Sequence, residues 1–290
     1  MKQAILITAY KELDFISNIL QYFDDDFDFF IHVDKKCKED STFLQNDPRV
    51  NVYRKYRIEW GGSNHIFAIV LLIQEAFKVG KYEYYHLITG SDLPIKPLSA
   101  FKAYFENHKN DNFIEHFPLP HSDWGTEGGM DRIKYYWFGY NTVNVRNGWW
   151  QLVRFALRIQ RKLRIQRKFS YFEGELWGGS TYWSLSKDAV SRIVDFLQRN
   201  TGYIKRFRFT SIGEEVFIQS VLKSFADVKL TNDYLRYINW GKDESTPIIL
   251  TEEDQDEMIR SNCFFARKFD KEKSIKLMKG LVTQNDIRTI

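Results

Sequence analysis

Two kinds of hydrophobic pattern alternate along the 290 residues. Short solid apolar runs stand between longer stretches in which apolar residues recur three and four apart. Ala4-Ile5-Leu6-Ile7, Phe27–Val33 and residues 84–88 are of the first kind and predict buried strands, with Val50–Tyr53 as a shorter one. Residues 13–23 carry Phe15, Ile16, Ile19, Leu20 and Phe23 at helical spacing, and residues 63–79 carry Ile66, Ile69, Val70, Ile73, Ala76 and Phe77. Strand, helix, strand, strand, helix, strand is the pattern of an α/β domain built on a largely parallel sheet. Ligands of such sheets gather at the carboxyl ends of the strands, and Asp34 and Ser91-Asp92 fall at two of those ends.

Beyond residue 100 the pattern predicts a helix over 101–107, a strand at Phe113-Ile114-Glu115 and a Gly- and Pro-containing loop over 118–130. A long amphipathic helix is expected over 149–168. Gly178-Gly179 opens a strand over 181–185, and a helix over 186–197 starts on the N-cap Ser186. A further helix over 212–225 carries Glu214 and Glu215, and the tail after Gly280 reads as polar and loose. No stretch is rich enough in Pro, Gly or Ser to act as a linker, so residues 1–290 are expected to form a single domain. The only repeat is local, RIQRKL followed by RIQRKF.

Composition narrows the class. Hydrophobic residues at 43% and charged residues at 28% suit a folded chain and exclude disorder, because burial of large apolar groups offsets the ordering entropy. With 16 Gly and 6 Pro, collagen-like and low-complexity classes fall away. Two cysteines, Cys37 and Cys263, cannot build a disulfide framework, and a reducing compartment fits. No run approaches the roughly 20 apolar residues of a membrane span, and the apolar run at the N-terminus is too short for a signal peptide. The aromatic content, 17%, is high; most of the rings are expected to fill the core. The net charge of +4 is uneven, since residues 132–172 hold ten Lys or Arg and no Asp or Glu, which leaves the rest of the chain net negative.

Several chemistries are excluded. The six histidines form no HExxH or other close metal-binding pair, and no Gly-x-Ser-x-Gly elbow or GxxxxGK[ST] loop occurs. Gly128-Gly129 and Gly178-Gly179 are too sparse for a dinucleotide fingerprint. Asp24-Asp25-Asp26 precedes a strand instead of following one, so it reads as a solvated turn and not a metal site.

FIHVDKK (30–36), YRIEWGG (56–62), YYHLITGSDLPIK (84–96), GGSTYWSLSKD (178–188), IGEEVFIQS (212–220), LRYINW (235–240) and FFARKFD (264–270) follow one another in a telling order. In that order and spacing the chain resembles the core-2/I-branching β-1,6-N-acetylglucosaminyltransferases, to which the peptide O-xylosyltransferases are related. The resemblance spans roughly 4–270. It implies a GT-A type nucleotide-sugar transferase fold, a mostly parallel central sheet flanked by helices. It also implies a UDP-sugar donor, inversion at the anomeric carbon and no metal ion or other cofactor. UDP-N-acetylglucosamine is the expected donor, with UDP-xylose the alternative.

Carried onto this sequence, the resemblance makes Glu215 the catalytic base, with Glu214 beside it as an orienting or capping acid. Neighbours on a helix point about 100° apart, so both carboxylates cannot face one sugar. Where most GT-A enzymes hold a metal with Asp-x-Asp, this chain reads Gly90-Ser91-Asp92, a single carboxylate. The family uses cations instead, and the matching positions are Arg236 and Lys268; Arg267 adjoins Lys268 and leaves the register open by one residue. Cations there would meet the charge that develops on the leaving diphosphate. Asp34 matches the uridine-contacting position, and Arg57, Trp60 and Asp92 are further donor-side candidates. For the glycan acceptor the implied residues are Glu115, Arg132, Lys134, Trp177 and Trp183. The animal members carry an anchor and disulfides that this chain lacks, so a bacterial, cytoplasmic form acting in surface-polysaccharide or glycoconjugate synthesis is expected.

Residues alone, without the resemblance, raise one more expectation. Over 149–169, Leu152, Ala156, Ile159 and Leu163 form an apolar stripe, with Arg154, Arg158, Arg161, Lys162 and Lys168 largely opposite and Trp149-Trp150 at the start. Such a helix suits the surface of an anionic membrane, where a lipid-linked glycan acceptor would sit; a helix packed on the domain with a solvated basic face is the alternative. A nucleic-acid partner is not expected, because the basic run is one element and binding needs several phosphate contacts. A non-catalytic glycan-binding relative is the other alternative, against which the retention of Glu215, Arg236 and Lys268 together speaks.

Overall fold

The computed structural model describes residues 1–143, 148, 150–169, 175–241 and 246–285. The apolar runs that open the chain form β1 (Gln3–Ala9) and β2 (Phe27–Val33), linked through α1 (Ile16–Tyr22). β3 (Val50–Tyr53), α2 (Asn64–Val79) and β4 (Tyr84–Thr89) follow. Strands β3, β2, β1 and β4 pair in parallel in that order. Every residue of β1 and β2 is buried, as a parallel sheet covered on both faces requires.

The chain then runs through β5 (Leu93–Pro94), α3 (Leu98–Asn107), β6 (Asn112–Ile114), β7 (Phe117–Pro118), α4 (Asp131–Lys134), α5 (Trp150–Lys162), β8 (Trp177–Gly178) and β9 (Trp183–Ser186). β9 lies antiparallel between β4 and β6. After α6 (Lys187–Arg199), α7 (Thr201–Arg206) and α8 (Glu214–Lys223), β10 (Leu230–Thr231) closes the edge of a seven-stranded sheet ordered β10-β6-β9-β4-β1-β2-β3. β11 (Arg236–Ile238), α9 (Gln255–Arg260), β12 (Phe265–Arg267) and α10 (Ile275–Asn285) complete the described chain. β11, β12 and β5 form a small second sheet, and β7 pairs with β8.

The rings fill both faces of the large sheet, as expected of most of them. One face gathers Phe23, Phe27, Phe29, Phe101, Phe105 and Phe265; the other gathers Phe30, Trp183, Tyr203, Phe207 and Phe217. Many pairs meet edge-on, as Phe23 and Phe101 do at 5.4 Å between centroids, the arrangement that ring quadrupoles favour. Within this core His86 ties three strands together, its Nε2 2.8 Å from Gln3 Oε1 and its Nδ1 2.8 Å from Ser184 Oγ. Complete burial holds that imidazole neutral, far below the ordinary histidine range.

Two expectations are corrected. The helix predicted over 149–168 ends at Lys162, because Arg164 takes a left-handed backbone (φ 54°); Trp149 lies outside the described residues. The tail after Gly280 continues α10 to Asn285, since Leu277, Met278 and Leu281 are buried on the first core; residues 286–290 lie outside the described residues. The acidic turn is exposed at Asp24 and Asp25, as expected, and Lys102 Nζ bonds to Asp26 and lies 2.9 Å from Asp24 Oδ2. Among the described residues no helix is long and apolar enough to cross a membrane.

Candidate active site

The carboxyl ends of β1, β2 and β4 lie side by side, since Ala9 pairs with Val33 and Thr8 with Thr89. Asp34 follows β2, buried, and its Oδ1 accepts from the main-chain N–H of Lys36 at 2.8 Å and of Ile58 at 3.3 Å. The loop 54–62 is thereby folded over the strand end. Glu59, also buried, takes Lys36 Nζ at 2.9 Å and Arg57 Nε at 3.1 Å. Arg57 and Trp60 remain exposed on the outer side of that loop.

Asp92 is fully buried at the end of β4. Its carboxylate accepts from Thr89 N at 2.8 Å and Thr89 Oγ1 at 2.7 Å, so it closes its own turn. Burial pushes its carboxyl up, and Arg267, whose Nε is 3.5 Å away, opposes the shift. The Arg267 guanidinium also stacks on Tyr182, 4.8 Å from the ring centroid. The following residue, Lys268, is half-buried, and Phe269 N bonds to Ser91 O at 2.9 Å, which sets the 267–269 strand end against the Ser91 turn. Among the described residues no group of three or more His, Cys, Asp or Glu could hold a metal ion.

Arg236 lies under this rim, within electrostatic reach of Asp92. It is 3% exposed, and its guanidinium donates to Ser184 Oγ, Tyr234 O, Leu87 O and Trp183 O while lying over the Phe265 ring. Burial lowers its pKa to about 10, against the pull of Asp92. Its guanidinium is thus occupied in clamping the ends of β4 and β9 to β11 from inside. Arg267 reaches the Asp92 carboxylate from the neighbouring segment, Arg236 acts on it from beneath, and Lys268 follows Arg267 in the chain.

The antiparallel half supplies the facing wall. β9 starts where β4 ends, with Trp183 paired to Leu87, and Ile114 pairs with Trp183 from the other side, so Glu115 emerges beside the same end. A Cβ on Gly179 would stand 1.9 Å from Glu115 O, so only glycine lets the two chains approach there. Burial pushes the Glu115 carboxyl up, with a main-chain bond from Ser180 opposing. Below it, Trp124 packs edge-on to Phe117 and carries Arg132 over its ring at 4.1 Å. Trp177 holds Lys223 over its ring at 4.1 Å, and Lys134 pairs with Glu127 at 3.4 Å. Trp183 itself is 1% exposed in the second core; it cannot offer a face to a sugar, which corrects its expected place among acceptor residues.

The start of α8 joins the two halves. Ile212 N bonds to Gly61 O at 2.8 Å on one side, and Gly179 N bonds to Glu215 O at 2.9 Å on the other. From that helix start the two acids diverge as adjacent helical positions must. Glu214 Oε1 lies 3.3 Å from His65 Nδ1, whose Nε2 is 3.3 Å from Thr8 Oγ1. Glu215 turns the other way, and its Oε2 accepts from Arg132 at 2.7 Å. Burial raises the Glu215 carboxyl to about 7; Arg132 lowers it, and Glu214 and Glu115 raise it further. A carboxylate with that affinity can take a proton near neutral pH.

Thus the fold brings Asp34, Asp92, Arg57, Lys268, Glu115, Arg132 and Glu215 to one edge of the sheet and leaves Arg236 and Trp183 beneath it. Lys36, Glu59, His65 and Trp124 were missed by the sequence reading. Glu59 had a signal, as the acid inside YRIEWGG; Trp124 sits in a loop with no periodicity to mark it.

No curated protein matches the chain. Among solved structures, TarS of S. aureus shares 18% identity over 39% of this chain and 21% of its own length, with a TM-score of 0.29. The chain thus spans about a fifth of TarS. Mouse xyloside xylosyltransferase 1, in its apo form, shares 10% identity over 92% of this chain and 97% of its own, with a TM-score of 0.39. A 4-diphosphocytidyl-2C-methyl-D-erythritol synthase shares 13% identity over 69% and 84%, with a TM-score of 0.32. The sequence itself matches the family described as Branch: Core-2/I-Branching enzyme over residues 4–259. Its parallel β3-β2-β1-β4 half with β9 antiparallel beside β4 is a GT-A type sheet. The chain belongs to the core-2/I-branching enzyme family, a family of glycosyltransferases.

Proposed function

We propose that the protein transfers a sugar from a UDP donor to a glycan hydroxyl with inversion, without a metal ion, and that Glu215 is the base. UDP-N-acetylglucosamine is the proposed donor, and the product linkage is β. The observation that carries this reading is Glu215 itself, a half-buried carboxylate raised to about 7 at the start of α8, between the Asp34–Asp92 rim and the Glu115–Trp124 wall.

In the proposed step the acceptor oxygen attacks the anomeric carbon from the face opposite UDP. Its proton passes to Glu215 as the new C–O bond forms. The bond to UDP breaks with both electrons going to the diphosphate oxygen. Arg132 positions the base through the 2.7 Å bond to Oε2. Lys268 and Arg267 supply positive charge toward the diphosphate, Arg267 held in place by Asp92 and Tyr182. Asp34 and the 54–62 loop receive the nucleoside. Trp177, Trp124 and Glu115 receive the acceptor, rings against its C–H faces and the carboxylate toward its hydroxyls. A lipid-linked glycan in surface-polysaccharide synthesis is the acceptor class that fits.

Thermal unfolding in EDTA against UDP-, GDP-, CMP- and dTDP-sugars tests the donor. A ligand at about 100 times its dissociation constant stabilises by about 2.7 kcal/mol, a readable rise in Tm. A rise with UDP and with UDP-N-acetylglucosamine is expected. A rise with UDP-xylose alone would change the sugar, and a rise that requires Mn²⁺ would overturn the metal-free reading.

A further inference from the structure

α5 packs on the domain by a narrow face. Val153, Leu157 and Gln160 are buried, the first two in a cluster with Tyr135, Trp137 and Tyr140. The Gln160 side chain accepts from Tyr136 N at 2.8 Å and donates to Tyr136 O at 2.9 Å, which fixes the rotation of the helix. At about 100° per residue, that rotation turns a second apolar stripe outward. Leu152, Phe155, Ile159 and, one residue past the helix end, Leu163 are 59%, 60%, 41% and 62% exposed. Phe155, absent from the stripe expected from sequence, stands at its middle, while Ala156 lies at its edge, half-buried.

An amphipathic helix normally turns its apolar stripe inward and its charges outward. α5 has two apolar faces, and among the described residues only the first is covered. Along one border of the outer stripe run Arg154, Arg158 and Lys162, all exposed. No Asp or Glu occurs between residues 132 and 172 to neutralise them, although the rest of the chain is net negative. Four large apolar side chains beside a row of long cations match one surface chemistry: an apolar layer immediately beneath a sheet of negative charge. Arginine and lysine stems can lie along the apolar boundary while their heads stay among phosphates.

We propose that the outer face of α5 docks the protein on an anionic phospholipid bilayer, with Leu152, Phe155, Ile159 and Leu163 entering the acyl boundary and Arg154, Arg158 and Lys162 on the headgroups. The proposal is independent of the transferase reading, and its test uses no substrate.

The full-length chain is sedimented with vesicles of phosphatidylcholine, with and without phosphatidylglycerol, at low and at high salt. The expected result is pelleting with the phosphatidylglycerol vesicles at low salt and release as salt screens the cations. Phe155→Ser with Ile159→Ser should lower partitioning by tenfold or more. Changing Arg154, Arg158 and Lys162 to Gln should lower it by about five-fold per cation removed. Arg154→Lys with Arg158→Lys should retain it. Because every altered side chain is exposed, each variant should keep the parent Tm. Absence of pelleting at low salt would overturn the proposal, as would equal pelleting by parent and Ser variants. Lipid-free self-association in sedimentation velocity, lost in the Ser variants and without vesicle binding, would give the face to a second copy of the chain and overturn it too.

Discussion

In the parallel half of the sheet, the shortest bonds to Asp34 and Asp92 come from groups close to them in the chain, with Ile58 N and Arg267 reaching them from farther off. Asp34 accepts from Lys36 N and Asp92 from Thr89, two and three residues away. In the antiparallel half, Glu215 takes Arg132 from 83 residues away, and Glu115 is positioned by the close passage of Gly179. The first arrangement is buried, at the proposed nucleoside end of the site. The second depends on tertiary contacts between side chains, and it leaves Glu215 able to change protonation state near neutral pH. Acids of the same chemical type thus differ in that Asp34 and Asp92 are anchored first to their own turns, whereas the side-chain bond to Glu215 comes from a distant element.

The sharpest way to break this contrast is Glu215→Gln. If Glu215 is the base, transfer should fall by about 100- to 10,000-fold while UDP affinity is unchanged; near-parental turnover in a UDP-release assay would remove it from the mechanism. Next in size is Arg236→Ala. Four acceptors and the buried Asp92 lose a cation, at a cost of about 3 kcal/mol, so Tm should drop by roughly 6–12 °C. A normal Tm with lost UDP affinity would return Arg236 to the phosphate site.

Arg132→Gln sharpens the other side. Arg132 lowers the Glu215 pKa, so its removal should carry the acidic limb of the kcat/KM profile from about 7 to higher pH. A limb that stays in place would mean that another group titrates. The raised carboxyl also touches stability. Between the ordinary 4.5 and about 7 the native state keeps a proton that the unfolded chain has released, so native stability falls as pH rises through that window. The Tm of Glu215→Gln relative to the parent should therefore climb from pH 5 to pH 8, and a flat difference would argue against the shift. Smallest is Trp177→Ala, expected to raise the acceptor KM by about three- to tenfold with little change in kcat, since it removes a stacking face. An unchanged KM would take the ring out of the acceptor wall.

Much of the parallel half was legible in advance. β1, β2, β3, α2 and β4 match the predicted runs, because solid apolar segments bounded by polar turns have few alternative placements. The two-residue strands β5, β7, β8 and β10 were not legible, since so short a segment has no period of its own and pairs only where another chain passes. Arg236 and Trp183 show the same limit at the site. A cation or a ring inside a recognisable motif reads alike whether it faces solvent or the core, and here both are within a few per cent of complete burial.

The sequence by itself determined the succession of strands and helices, the placing of Asp34 and Asp92 at strand ends, and the divergence of Glu214 from Glu215. Each follows from periodicity or from the fixed angle between adjacent residues of one element. Only the tertiary structure decided which cations stand at the rim, that Arg132 is the partner of Glu215, and that Phe155 faces outward from α5. Those outcomes depend on how far apart in the chain two elements can be and still meet, and on the rotation that Gln160 imposes on its helix.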